Sequence, residues 1–70
     1  MSKRLEREIL ALVELRQRFQ FQPLTLEGIA AMMKTKTDDI KHTVWGLWMD
    51  GSLRAEQDNR GAKRRWVLPE

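Results

Sequence analysis

The sequence predicts an α+β domain in which three short helices precede a two-stranded antiparallel hairpin. Three stretches carry apolar residues at the three- and four-residue spacing of a buried helix face. A glycine, Gly51, closes the third stretch, and the segment after it alternates apolar and polar residues around an Asp-Asn-Arg-Gly sequence typical of a turn. Seventy residues have room for one such domain, which we expect to span residues 1–70.

The first helix is predicted over about residues 2–19. Ser2 is placed to cap its N-terminus, and Pro23 lies a few residues beyond its end. The segment 21–24 is expected to be extended, because the residue before a proline avoids the helical region. Charged residues separate the apolar positions of this helix, which are Leu5, Ile9, Leu12, Val13 and Phe19.

The second helix is predicted over about residues 25–34, with the Thr25 hydroxyl capping its first turn. Its expected buried face consists of Leu26, Ile29, Ala30 and Met33. The third helix is predicted over about residues 37–50, capped by Thr37, and Gly51 supplies its C-terminal cap. Its expected buried face consists of Ile40, Val44 and Leu47.

The hairpin is predicted over about residues 53–68, with residues 58–61 as the turn. A four-residue turn pairs Leu53 with Trp66 and Arg54 with Arg65. The other pairs are then Ala55 with Arg64, Glu56 with Lys63, and Gln57 with Ala62. Two arginines directly across a ladder repel each other, and a bound phosphate would relieve that repulsion.

Composition argues against several classes of protein. The chain has no cysteine, which excludes a disulfide framework and a thiolate zinc site, and its one histidine cannot build a histidine metal cluster. No stretch approaches the ~20 apolar residues of a membrane span, so we expect a soluble, cytoplasmic protein. No phosphate loop, nucleophile elbow or carboxylate pair stands out, so we expect neither an enzyme nor a bound cofactor.

Positive charge is concentrated toward the two ends of the chain. The net charge of +3 divides into +2 for residues 2–20, −1 for residues 21–53 and +2 for residues 54–70. The last segment contains a block with no acidic residue, which holds Arg60, Lys63, Arg64 and Arg65. Such patches favour a polyanionic partner, because neutralised phosphates release counterions.

The order of elements and the apolar spacing resemble those of the winged helix-turn-helix family, which is found in many bacterial transcription regulators. The positions that carry the resemblance are Leu26, Ile29, Ala30, Met33, Ile40, Val44, Leu47, Gly51 and Leu53. The resemblance covers nearly the whole chain. It implies that the third helix enters the major groove of DNA, while the hairpin tip contacts the backbone or the minor groove.

The resemblance also implies a function and a set of contact residues. It implies binding of double-stranded DNA by a small transcriptional regulator or a mobile-element accessory protein such as an excisionase. The implied base-facing residues are Thr37, Lys41, His42 and Trp45. The implied hairpin contacts are Arg54, Arg60, Lys63 and Arg65. Phosphates around the turn between the second and third helices would meet Thr25, Lys34 and Lys36.

Two features of the third helix leave alternatives open. Asp38 and Asp39 either stabilise the helix N-terminus or accept hydrogen bonds from cytosine amino groups. Trp45 and Met49 either pack within the domain or form an exposed patch for a protein partner or a second copy. The chain would then be a winged helix protein-interaction module. A third alternative makes Trp45 a stacking platform for single-stranded nucleic acid.

Overall fold

The computed structural model describes residues 3–57 and 64–69 of the chain. Its elements are α1 (Lys3–Arg18), α2 (Leu26–Met32), α3 (Thr37–Met49), β1 (Arg54–Gln57) and β2 (Arg64–Val67). This order confirms the predicted α+β class and is consistent with a winged helix-like fold. Each helix is one to three residues shorter than predicted. The Ser2 cap, the turn at residues 58–61, Arg60 and Lys63 lie outside the described residues.

One apolar core joins all three helices to the hairpin. Its buried members are Ile9, Val13, Ile29, Ala30, Ile40, Val44, Leu47, Leu53 and Trp66. The predicted helix faces are thereby confirmed, with one exception. Phe19 is 63% exposed, because α1 ends at Arg18 and the backbone at Gln20 turns into the left-handed region.

All three helices end in the same backbone arrangement, the Schellman motif. A left-handed residue follows each helix cap, and the next N–H reaches back to a carbonyl in the last turn. The left-handed residues are Gln20, Lys34 and Gly51. The closing bonds run from Phe21 N to Arg16 O, from Thr35 N to Ala30 O and from Ser52 N to Leu47 O, at 2.8, 2.9 and 2.8 Å. Only the third motif uses glycine, so only that helix end carried a clear signal in the sequence.

The two predicted threonine caps have different outcomes. Thr25 caps α2, since its Oγ1 accepts from Gly28 N at 3.2 Å. The prediction for Thr37 is wrong: Lys36 takes the extended backbone of the cap position, and no side chain caps α3. Thr37 is already helical, which removes it from the cap geometry that a threonine cap requires.

The hairpin register differs from the prediction by two residues. Ala55 pairs with Trp66, Glu56 with Arg65 and Arg54 with Val67, so the predicted Arg54–Arg65 pair is wrong. The remaining pair is Gln57 with Arg64, which leaves six residues between the strands rather than four. A two-residue shift keeps every side chain on its predicted face. It also places an acidic residue across from Arg65, where the predicted register had a repulsive arginine.

Strand β2 is paired on both edges. Leu24 forms an isolated antiparallel bridge with Trp66, whose N–H donates to Leu24 O at 2.9 Å. This bridge agrees with the extended segment predicted over residues 21–24. Trp66 is 2% exposed and therefore belongs to the core.

Gly46, in the middle of α3, is a site where a side chain should stabilise the fold. A Cβ atom built there meets nothing within 4 Å apart from its chain neighbours and the backbone of its own helix. We expect Gly46→Ala to add up to about 1 kcal/mol of stability, because glycine weakens a helix interior, and to raise the Tm by ~4–8 °C. Thermal unfolding followed by circular dichroism measures the shift.

Gly28→Ala is the matched control, because this glycine also lies in a helix but has a close neighbour. Its Cβ would lie 3.0 Å from Leu24 Cδ2, so the gain in helix propensity is offset by displacement of that side chain. An unchanged or lower Tm for Gly46→Ala would contradict the prediction.

Candidate nucleic-acid interface

The side of α3 that faces away from the core is the candidate interface. Helical spacing brings together Asp38, Lys41, His42, Trp45 and Met49, which we call the outward face of α3. All five residues are exposed, with Trp45 at 42% and Met49 at 84%. The opposite face of α3 packs inside the domain, which leaves this face accessible to a partner.

Trp45 carries a cation on one side of its ring. Lys41 Nζ lies 5.4 Å from the indole centroid, within the range of a cation–π interaction. The two residues are one helical turn apart, so their side chains are neighbours on the same surface. The outward face therefore combines an exposed aromatic ring with a positive charge.

An aromatic contact joins the hairpin to the end of α3. The rings of Trp48 and Trp66 meet edge to face, with centroids 5.7 Å apart and an interplanar angle of 67°. The guanidinium carbon of Arg64 lies 4.8 Å from the centroid of Trp48. Arg64 is thereby held beside α3, next to the outward face of that helix.

The cationic side chains of the hairpin divide between its two faces. Because strand residues alternate, Arg64 shares a face with Trp66, whereas Arg54 and Arg65 lie on the other face. Arg65 is half-buried, and its Nη1 donates to Pro23 O at 2.6 Å. This contact ties the strand to the segment before α2. Arg54 and Arg65 were predicted to contact DNA together with α3. In the structure they lie on the hairpin face opposite the one that contacts α3.

Residues predicted near the turn between α2 and α3 differ in accessibility. Lys34 and Lys36 are exposed at the two ends of the turn. Thr37 and Thr25 are half-buried, and the Thr25 hydroxyl is already the acceptor of the α2 cap. Of the predicted base-facing residues, Lys41, His42 and Trp45 lie together on the outward face, whereas Thr37 lies between that face and the core.

The acidic residues at the start of α3 also differ from each other. Asp39 Oδ2 accepts from the Thr35 hydroxyl at 3.3 Å, a contact that fastens the turn to the helix. This contact favours a structural role for Asp39. Asp38 belongs to the outward face, where its carboxylate is accessible to a partner.

Asp50 follows α3 and is negatively charged over a wide pH range. Hydrogen bonds from the side chain and the backbone N–H of Ser52 lower the pKa of Asp50 below its ordinary value of 3.8, because they favour the charged carboxylate. This contribution to stability is present above that value and is lost as the pH falls through the lowered pKa.

Ion pairs distinguish α1 from the candidate interface. In α1, Arg4 pairs with Glu8 at 3.2 Å and Arg18 pairs with Glu14 at 3.4 Å. Within residues 3–57 and 64–69, no carboxylate lies within 4.0 Å of the basic groups of Lys34, Lys36, Lys41, Arg54 or Arg64. Positive charge near α3 and the hairpin is therefore available to an external anion.

Arg64 is the functional candidate that the sequence analysis missed. It belongs to the basic block, but the winged-helix resemblance implies DNA contacts only for its neighbours Lys63 and Arg65. The available signal was strand alternation, which places Arg64 on the face of Trp66 in either register. The contact with Trp48 turns this position into one beside α3.

Beyond the candidate interface, the described part of the chain offers a small pocket away from α3, but no metal site and no membrane-spanning helix. Residues of α1, β2 and the segment between α1 and α2 line this pocket, which has a volume of about 20 Å³. Among the described residues, no group of three His, Cys, Asp or Glu side chains is placed to hold a metal ion. None of the helices is long and apolar enough to cross a membrane, within the ranges that the structure describes.

Comparison with known proteins adds no family assignment. No family model matches the chain, and no curated protein matches its sequence significantly.

Proposed function

We propose that this protein binds double-stranded DNA, with α3 in the major groove and the basic hairpin on the adjacent backbone. The observation that carries the proposal is the Arg64–Trp48 contact, which holds a cation of the hairpin beside the C-terminal half of α3. The major groove is wide enough to admit an α-helix, and a neighbouring hairpin then meets phosphates.

The distribution of charge supports the same partner. Lys36 lies at the N-cap of α3, Lys41 lies in its first half and Arg64 lies near its end, so cations occur along the length of the helix. The basic block extends this charge in sequence through Arg60 and Lys63. Phosphates on both sides of a groove are the complementary partner for such an arrangement.

The size of the domain bears on its biological role. We propose a small transcriptional regulator or a mobile-element accessory protein, located in the cytoplasm with the nucleoid. A single module of this kind contacts on the order of 600–1,000 Å². Recognition of a specific site would therefore use two or more copies on adjacent DNA.

The direct test is a fluorescence anisotropy titration of a random-sequence duplex at several salt concentrations. We expect a Kd of about 10⁻⁴–10⁻⁶ M that rises steeply with salt, because counterion release drives the binding. Absence of binding at low salt would contradict the proposal. Binding that does not depend on salt would contradict the assigned role of the basic residues.

A second candidate function is a protein-interaction module or homodimer that uses Trp45 and Met49. The observation that favours it is the exposure of both side chains on the outward face. Trp45→Glu separates the two candidates. Loss of self-association in sedimentation equilibrium, with folding and duplex affinity retained, would support the second candidate. Loss of duplex affinity would support the first.

A further inference from the structure

We propose that the outward face of α3 recognises thymine methyl groups in the major groove, with Trp45 and Met49 as the contacting side chains. This inference rests on the proposed DNA binding and names the base feature that the helix reads. It follows from the side chains that α3 offers, from their exposure and from the cations beside them.

Apart from Lys41, helix α3 lacks the side chains that read purines by paired hydrogen bonds. Its sequence, TDDIKHTVWGLWM, contains no arginine, asparagine or glutamine. Bidentate recognition of guanine uses arginine or lysine, and that of adenine uses asparagine or glutamine. Lys41 is the one side chain of α3 suited to guanine, and its ammonium lies over the Trp45 ring.

The apolar side chains of the outward face would pack favourably against an apolar group of the DNA. Met49 is 84% exposed and Trp45 is 42% exposed, and they lie one helical turn apart. Among the groups that base pairs present in the major groove, the thymine C5-methyl is the apolar one. Contact with this methyl removes apolar surface of both partners from water, which is favourable without any hydrogen bond.

The cations beside the indoles favour DNA over an apolar protein surface as the occupant. Lys41 lies 5.4 Å from the ring of Trp45, and Arg64 lies 4.8 Å from that of Trp48. An apolar partner that covered the rings would also remove water from these charges, which costs free energy. A DNA groove instead offers methyl groups at its floor and phosphates at its edges, which suit both kinds of side chain.

The test compares two duplexes that differ only in methyl groups. One is an alternating adenine–thymine duplex of about two helical turns (~20 base pairs), and the other carries deoxyuridine in place of every thymidine. Both present the same phosphates and the same hydrogen-bonding groups. We expect the native protein to bind the uracil duplex about fourfold more weakly for each methyl that it contacts.

Trp45→Ala identifies the residue responsible, and Met32→Ala is its matched control. Met32 is 55% exposed but lies on α2, outside the outward face of α3. We expect Trp45→Ala to lower the thymine-to-uracil affinity ratio toward one, with the remaining preference due to Met49, and Met32→Ala to leave the ratio at the native value. Circular dichroism confirms that both variants are folded.

The possible results separately test methyl recognition, the role of Trp45 and DNA binding itself. Equal affinity of the native protein for the two duplexes would overturn methyl recognition while leaving DNA binding intact. A preference for thymine that is undiminished in Trp45→Ala would overturn the assignment to this residue. Failure of the native protein to bind either duplex at low salt would contradict the proposed function itself.

Discussion

Glutamine in place of Arg60, Lys63 and Arg64 is expected to weaken duplex binding on the order of a hundredfold at about 0.1 M salt. The slope of log K against log salt is negative, and each lost phosphate contact makes it shallower by about 0.9, so three lost contacts make it shallower by roughly 3. Arg64 is included because its contact with Trp48 places it beside α3. Anisotropy titrations at several salt concentrations measure both quantities.

The matched control removes the same charge from another part of the molecule. Lys3, Arg4 and Arg7 are exposed in α1, and their replacement with glutamine lowers the net charge by the same amount. We expect this variant to keep a slope close to that of the native protein. Equal losses in the two variants would mean that net charge, rather than the hairpin, determines the affinity.

Alanine in place of Trp66 is expected to unfold the domain or to lower its Tm by more than about 12 °C. The side chain is 2% exposed and packs against Trp48, and its backbone links β1 to Leu24. Removal of a buried tryptophan costs about 3–5 kcal/mol. That cost approaches the whole stability of a domain of this length, at roughly 0.05–0.15 kcal/mol per residue.

Trp66→Phe tests the explanation by packing. Among the described residues, the indole N–H of Trp66 has no hydrogen-bond partner, so phenylalanine gives up volume but no hydrogen bond there. We expect this variant to unfold cooperatively, at a Tm between those of the native protein and Trp66→Ala. Far-UV circular dichroism follows the unfolding without relying on tryptophan fluorescence. A Tm of Trp66→Ala within about 5 °C of the native value would refute the central role of this side chain.

The candidate site was only partly predictable. Lys41, His42 and Trp45 were placed correctly on one exposed helix face, because helical spacing alone determines which residues share a face. The hairpin residues were less predictable, since Arg65 bonds to Pro23 O, a group that is distant in sequence. Arg64 gained its position from a contact between two elements, which no local pattern reveals.

The sequence by itself determined the order of the elements, the buried faces of the helices and the third helix end at Gly51. These features depend on residues a few positions apart, whose spacing and backbone preferences act locally. The tertiary structure decided the hairpin register and which cations lie beside α3. Strand pairing depends on the length of the connection and on packing across the core, as between Trp66 and Trp48. Local preferences do not fix those distances, so only the folded chain brings the hairpin and the third helix into one surface.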